Sequence, residues 1–378
     1  MTRFLATLLL TSFFCVAPLT GALAKGEPIK LGLMAPLTGS FASEGQDMQK
    51  IIELMVEETN KAGGINGAPV ELIVEDDGST PRSAATAASR LVAQEVVAVI
   101  GTYGSAVTEA SQDIYDEMGV VQVATGSTSI RLTSKGMKGF FRTCPRDDEQ
   151  GRVMAKAVQD LGFKKIAILH DNSAYGKGLA DEMKNNLKGV DGASIPFFDA
   201  LQPGERDYSA VLTKIKGIQP DVIVFTGYYP EAGLLLRQMD EMGWKVPMIG
   251  GDAANNLDLV PIAGVKAAVG YRFVSPPMPD DMDTEDAKNF LAAYHAKHGA
   301  SPSSIWSVLA GDAYLVLKKA IEEKGADSGA VAEYLTKDLK DFMGLSGHIA
   351  FDDKGDRISD VYRLYEVDKT GKFVLQPR

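Results

Sequence analysis

The chain has 378 residues, 45% of them hydrophobic and 24% charged, with a net charge of −11 at pH 7. That length exceeds one ordinary hydrophobic core and calls for two domains. The acidic balance, spread without long runs of one sign, argues against nucleic acid or an anionic membrane as a partner.

The first element expected is a leader. Arg3 precedes an uncharged, mostly apolar stretch over 4–17, and Ala22-Leu23-Ala24 forms a small-x-small cleavage pattern. Residues 1–24 therefore read as a cleaved secretory signal peptide, which directs the chain to the periplasm. Phe14 stands before Cys15 where a lipoprotein site wants a small residue, so lipidation is not expected. No later segment supplies the roughly 18 uncharged apolar residues of a spanning helix. Cys144 is then the only cysteine of the mature chain, which excludes an internal disulfide and reads as buried packing.

After the leader one alternation repeats. A strand over 29–34 leads to a helix from about Gln46, where Met48, Ile51, Ile52, Met55 and Val56 form one apolar stripe opposite Glu53 and Glu57. Gly63-Gly64 ends it. Strands follow over 70–75, 96–100, 120–123 and 140–143, with helices over 83–94 and 107–118. A second block reads as helices over 148–161, 176–187, 208–216 and 231–242, with strands over 166–170, 194–198, 222–225 and 246–250. The Pro-rich stretch 270–279 breaks the pattern, helices return over 284–298 and 304–324, and a strand-rich tail begins at His348. Val/Ile-rich strands alternating with helices predict an α/β architecture of parallel sheets covered on both faces.

In open parallel sheets, ligands bind beyond the carboxyl ends of the strands. The first block places Thr38-Gly39-Ser40 with Glu44, the run Gly101 to Ser105, and the run Ala124 to Thr128 at such ends. The second places Asp171, Asn172 and Tyr175, then Tyr228 and Tyr229, then Gly251-Asp252. Hydroxyls gather on one block, aromatics and a carboxylate on the other, which suits a zwitterion held between them. Ser105, just before a helix, offers its hydroxyl and the helix's free N–H groups to a carboxylate. Thr128 and the Gly126 loop add donors, Asp252 accepts an ammonium, and Tyr228 faces it.

Each feature alone has a plainer reading. Ser105 is an ordinary N-cap, the Gly126–Thr128 run a βα turn, Asp252 a cap for a helix over 255–260, and Tyr228 and Tyr229 surface aromatics of a turn. Their convergence at strand ends carries the functional reading. Enzymatic signatures are missing: no G-x-S-x-G elbow, P-loop or H-E-x-x-H, and no G-x-G-x-x-G opening the first helix. His295 and His298 lack a third ligand and read as a solvated helix end. His170-Asp171 has no nucleophile tied to it, and His170 reads as a strand end. Neither a cofactor nor a metal is expected.

Several ordered stretches carry a resemblance. They are Ala62-Gly63-Gly64-Ile65-Asn66-Gly67, the run Ser111 to Tyr115, the run His170 to Ala180, Gly227 to Gly233 with Leu236-Arg237-Gln238, and Phe351 to Asp356. Through them the whole mature chain resembles the leucine/isoleucine/valine-binding family, the type I periplasmic substrate-binding proteins of ABC importers. The resemblance implies two similar lobes, 25–145 plus 275–361 and 146–274 plus 362–378, joined by a hinge of three crossings near 145, 275 and 362. Closure about that hinge would enclose the ligand. It also implies a non-enzymatic monomer that delivers an amino acid, aliphatic or branched-chain-like, to an ABC permease. A different small carboxylate (an amide, a γ-amino acid or an aromatic acid) and a sensor for a membrane receptor are the alternatives.

The resemblance further implies that Ser105, Gly126 and Thr128 match carboxylate-binding positions, Tyr175 and Tyr228 the second-lobe tyrosines, and Asp252 the ammonium-binding acid. Departures are visible. Family members typically carry Glu where Asp252 stands, an aromatic residue at Glu44 and an aliphatic one at Tyr103, while Ser304 occupies a side-chain wall position. Ser79 and Gly104 stand at the family's disulfide positions. Glu44 in a closed apolar pocket needs a partner or water, so a wetter pocket than a leucine site is expected.

Overall fold

The computed structural model describes residues 26–358 and 361–377; the leader expected over 1–24 lies outside the described residues. Two large sheets organise the chain. The first holds β1 (Ile29–Ala35), β2 (Val70–Asp76), β3 (Ala98–Ile100), β4 (Val121–Ala124) and β5 (Phe140–Arg142) in the order β2-β1-β3-β4-β5, parallel throughout.

The second sheet holds β6 (Lys165–His170), β7 (Ser194–Ala200), β8 (Val222–Thr226), β9 (Met248–Gly250) and β10 (Arg272–Ser275). A small pair, β11 (Phe342–Gly344) and β12 (Gly347–Ile349), stands apart, and β13 (Arg363–Val367) and β14 (Phe373–Leu375) return to the second sheet. Its order is β14-β13-β10-β9-β8-β6-β7. Five strands are parallel, but β13 and β14 run antiparallel, so the second sheet is mixed where parallel pairing was expected. The cause is local. Asp368 accepts from the backbone N–H groups of Thr370 and Lys372, and Gly371 sits at φ 85°, which closes a tight hairpin. A connection that short permits only an antiparallel pair.

The central strands are buried on both faces, as in β8, whose five residues are all buried. Helices cover each side. Helix Ile305–Lys324 packs on helix Ala42–Lys61, with Tyr314 Oη 2.7 Å from Thr59 Oγ1. The chain thus leaves the first sheet after Arg142, returns to its helices after Ser275, and leaves again before Arg363. Asp356 ties two of these passages, pairing with Arg142 Nε at 2.5 Å and Arg146 Nη1 at 2.6 Å. Among the described residues no helix is long and apolar enough to cross a membrane.

One boundary matters for the site. The first helix begins at Ala42, four residues before the expected Gln46. The apolar stripe is silent there because Ser43, Glu44 and Gly45 are not core residues by type. Gly45 lets the first turn press on the loop after β1, since a Cβ would overlap the Pro36 carbonyl. Glu44 is thereby placed inside the protein, fully buried.

Candidate functional site

The loops after β1, β3 and β4 meet those after β6, β8 and β9. On the first side, the two runs of small residues zip together: Gly104 N–H donates to the Gly126 carbonyl at 2.8 Å and Gly126 N–H to that of Thr102 at 3.4 Å. Helix Ser105–Glu117 starts one residue earlier than an N-cap Ser105 would allow. Gly104, at φ 97°, holds the cap position, and Ser105 is the first helical residue. Its Oγ accepts from the Ser129 N–H at 3.1 Å, so the hydroxyl ties two loops instead of capping its helix. Gly126 has no room for a side chain, because a Cβ would overlap the Tyr103 ring and lie 3.4 Å from Trp306 Cε3.

Thr128 connects this side to the next passage of chain. Its carbonyl accepts from Asp147 N–H at 3.0 Å. The Asp147 carboxyl beside it is buried and lies well above the usual carboxylate range, first through burial and then through the neighbouring charge of Asp252.

Asp252 opens a short 3₁₀ turn, Asp252–Ala254, and caps no later helix with its side chain. Its Oδ1 accepts from Tyr175 Oη at 2.9 Å and its Oδ2 from Tyr362 Oη at 2.8 Å. Burial pushes its pKa up to about 6, against hydrogen bonds from Gln150, Tyr362 and Tyr175. Gly251 leaves space for this arrangement, since a Cβ there would lie 2.6 Å from Gln150 Oε1 and overlap the Tyr175 hydroxyl.

Between the two sides lies an aromatic cluster. The Tyr228 ring sits 4.3 Å from Phe41, 5.3 Å from Tyr175 and 5.7 Å from Tyr103, and Tyr103 is 5.9 Å from Trp306. Tyr228 and Tyr229 are both buried, which corrects their reading as surface aromatics. Tyr229 Oη reaches across to Ser43 Oγ at 3.0 Å and the Ser40 carbonyl at 3.3 Å. Glu44 is paired: Asn256 Nδ2 donates to it at 2.7 Å, and Ser304 Oγ donates to its other oxygen. Burial still pushes its pKa up to about 7. Ser304 therefore acts on Glu44 and caps helix Ile305–Lys324, while Trp306, two residues on, forms the wall against Gly126.

The structure brings Glu44, Tyr103, Gly104, Ser105, Gly126, Thr128, Tyr175, Tyr228 and Asp252 into one buried neighbourhood. Phe41, Asp147, Gln150, Asn256, Trp306 and Tyr362 join it without having been expected. Strand ends could not point to Trp306 or Tyr362, which arrive on the later passages. Among the described residues no group of three or more His, Cys, Asp and Glu could hold a metal. Cys144 lies buried under the loop, its thiol pushed up to about 12 by burial.

Residues 28–372 match the family model described as periplasmic binding protein. The chain belongs to this family. It is 37% identical over 377 residues to a Leu/Ile/Val-binding protein of Rhizobium johnstonii, covering 99% of each chain. It is 36% identical over 346 residues to the leucine-, isoleucine-, valine-, threonine- and alanine-binding protein of Pseudomonas aeruginosa, covering 91% of each. Among solved structures, a leucine-binding protein from Thermotoga maritima superimposes with a TM-score of 0.85 at 32% identity, covering 92% of this chain and 98% of that one. A branched-chain amino acid transporter substrate-binding protein from Streptococcus pneumoniae, in complex with isoleucine, gives 0.84 at 32%, covering 92% and 99%. The resemblance read from the motifs is thus borne out, together with the type I α/β fold. Family membership makes the chain a substrate-binding protein and implies a periplasmic location.

Proposed function

We propose that this protein is a periplasmic receptor that closes on an α-amino acid and delivers it to an ABC import permease. The observation that carries the reading is Asp252, buried and aligned by Tyr175 and Tyr362 opposite the donor-rich loops of Ser105, Gly126 and Thr128. A zwitterion satisfies both sides: its ammonium neutralises a carboxylate that burial otherwise disfavours, and its carboxylate takes N–H and hydroxyl donors. The relatives' amino-acid ligands support the same chemistry. The lobes are 25–145 plus 275–361 and 146–274 plus 362–378, hinged at the three passages between sheets, in a monomer exported by the 1–24 leader.

The test is a thermal-shift screen of refolded, ligand-stripped protein against amino acids and small carboxylates. A ligand at about 100 times its dissociation constant adds roughly 2.7 kcal/mol of stability, which is readily seen. A shift with α-amino acids supports the reading. A shift only with acids that lack an ammonium would remove Asp252 from its assigned role.

A further inference from the structure

Two buried donors in the site have nothing to donate to. Trp306 and Tyr103 are each 1% exposed, and neither Trp306 Nε1 nor Tyr103 Oη has a hydrogen-bond partner among the described residues. Buried indole N–H and phenol O–H groups ordinarily find a partner, so the pair marks a place where one is to be supplied. Both rings pack on Gly126, and Tyr103 also stands edge-on to Phe41 and Tyr228. The two rings thus flank the Gly126 loop of the clamp.

We infer that Trp306 and Tyr103 read a polar group on the ligand's side chain, so that the site selects a small, neutral α-amino acid with a hydroxyl or amide over its aliphatic isostere. This rests on the amino-acid reading above. The indole nitrogen only donates, so the ligand must present an acceptor oxygen; the phenol donates or accepts and serves either partner. An aliphatic side chain would seal both groups from water and leave them unpaired. Glu44 does not compete for the ligand, because its two oxygens are held by Asn256 and Ser304. The selected side chain is not a carboxylate, since it would be buried beside Asp252, whose ionised form repels it.

Isothermal titration of the mature, ligand-stripped protein with two near-isosteric pairs, threonine against valine and asparagine against leucine, tests this. The polar member of at least one pair should bind about tenfold tighter or more, because a site built to hydrogen-bond a group rejects the analogue without it. Trp306→Phe should lower that polar-to-aliphatic ratio by about tenfold, the share of one lost hydrogen bond. Tighter binding of valine and leucine in the unaltered protein overturns the inference and leaves the receptor reading standing. An unchanged ratio in Trp306→Phe, with all four ligands weakened alike, also overturns it, since the indole would then serve the α-carboxylate. Binding of none of the four overturns the inference, while the wider thermal-shift screen decides the amino-acid reading itself. Should Trp306→Phe fail to fold, the isostere comparison in the unaltered protein decides alone.

Discussion

Asn256 Nδ2 donates to Glu44 Oε1 at 2.7 Å, joining the loop after β9 to the first turn of helix Ala42–Lys61. Asn256 also reaches Ser43 Oγ at 3.2 Å, and Leu257 N–H donates to the Ser303 carbonyl at 3.2 Å. The two sides of the site are thus linked directly, protein to protein, around a buried acid. Asp47 and Asp258 lie close enough to raise the Glu44 pKa further, although burial is the larger cause.

Glu44 should make the ligand-free protein more stable in mild acid. Its folded pKa, about 7, lies above its ordinary value of 4.5, so between those values the native state holds a proton that the unfolded chain has lost. Stability is then greatest below about pH 4.5, falls as pH rises, and levels off above about 7. Asp252 shifts in the same direction. Melting temperature should rise from pH 7.5 to 5.5, and Glu44→Gln should remove on the order of 2 kcal/mol of that gain in calorimetry. An equal slope in the variant would remove Glu44 as its source.

Ligand affinity should move the opposite way with pH. An ammonium pairs with ionised Asp252, which gains its proton below about pH 6. Binding of an α-amino acid should weaken by about tenfold per pH unit below that value. Asp252→Asn should lose roughly 2–5 kcal/mol at pH 7.5, since it leaves a desolvated ammonium unpaired. Titration calorimetry across pH checks both, and affinity within a few-fold of the unaltered protein would reassign Asp252.

Thr128→Ala should have a smaller effect, about 1–3 kcal/mol for one donor lost to a charged group. Its backbone carbonyl still holds Asp147 N–H, so melting should change little while affinity falls. Unchanged affinity would take Thr128 out of the site.

Gly251→Ala tests the packing under Asp252. The new Cβ would press on Gln150 Oε1 and the Tyr175 hydroxyl, turning the phenol away from Asp252. We expect about 1–3 kcal/mol lost from stability, as for other overpacked cores. Affinity should fall too, and a Gly251→Ala protein that melts and binds as before would contradict the geometry.

Much of this was legible in the chain itself. Stripes such as Met48, Ile51, Ile52 and Met55 announce a helix, and the buried Val222–Thr226 run announces a central strand, because side-chain period and burial are local properties of neighbouring residues. Boundaries were less legible where packing overrode pattern. The Ala42 start depends on Gly45 touching Pro36, and the cap at Gly104 depends on a left-handed backbone and a bond to Gly126.

The sequence by itself determined the alternation of strand and helix, the division into two blocks, and the presence of hydroxyl loops on one and aromatics with Asp252 on the other. Each follows from residue type, spacing and the rule that ligands gather at strand ends. Only the tertiary structure decided that Tyr362 holds Asp252, 110 residues away, that Asn256 holds Glu44 across 212, and that Trp306 lies against Gly126. Such pairings are absent from any window of sequence, because they are made when separate passages of chain fold back and bury their polar groups against one another.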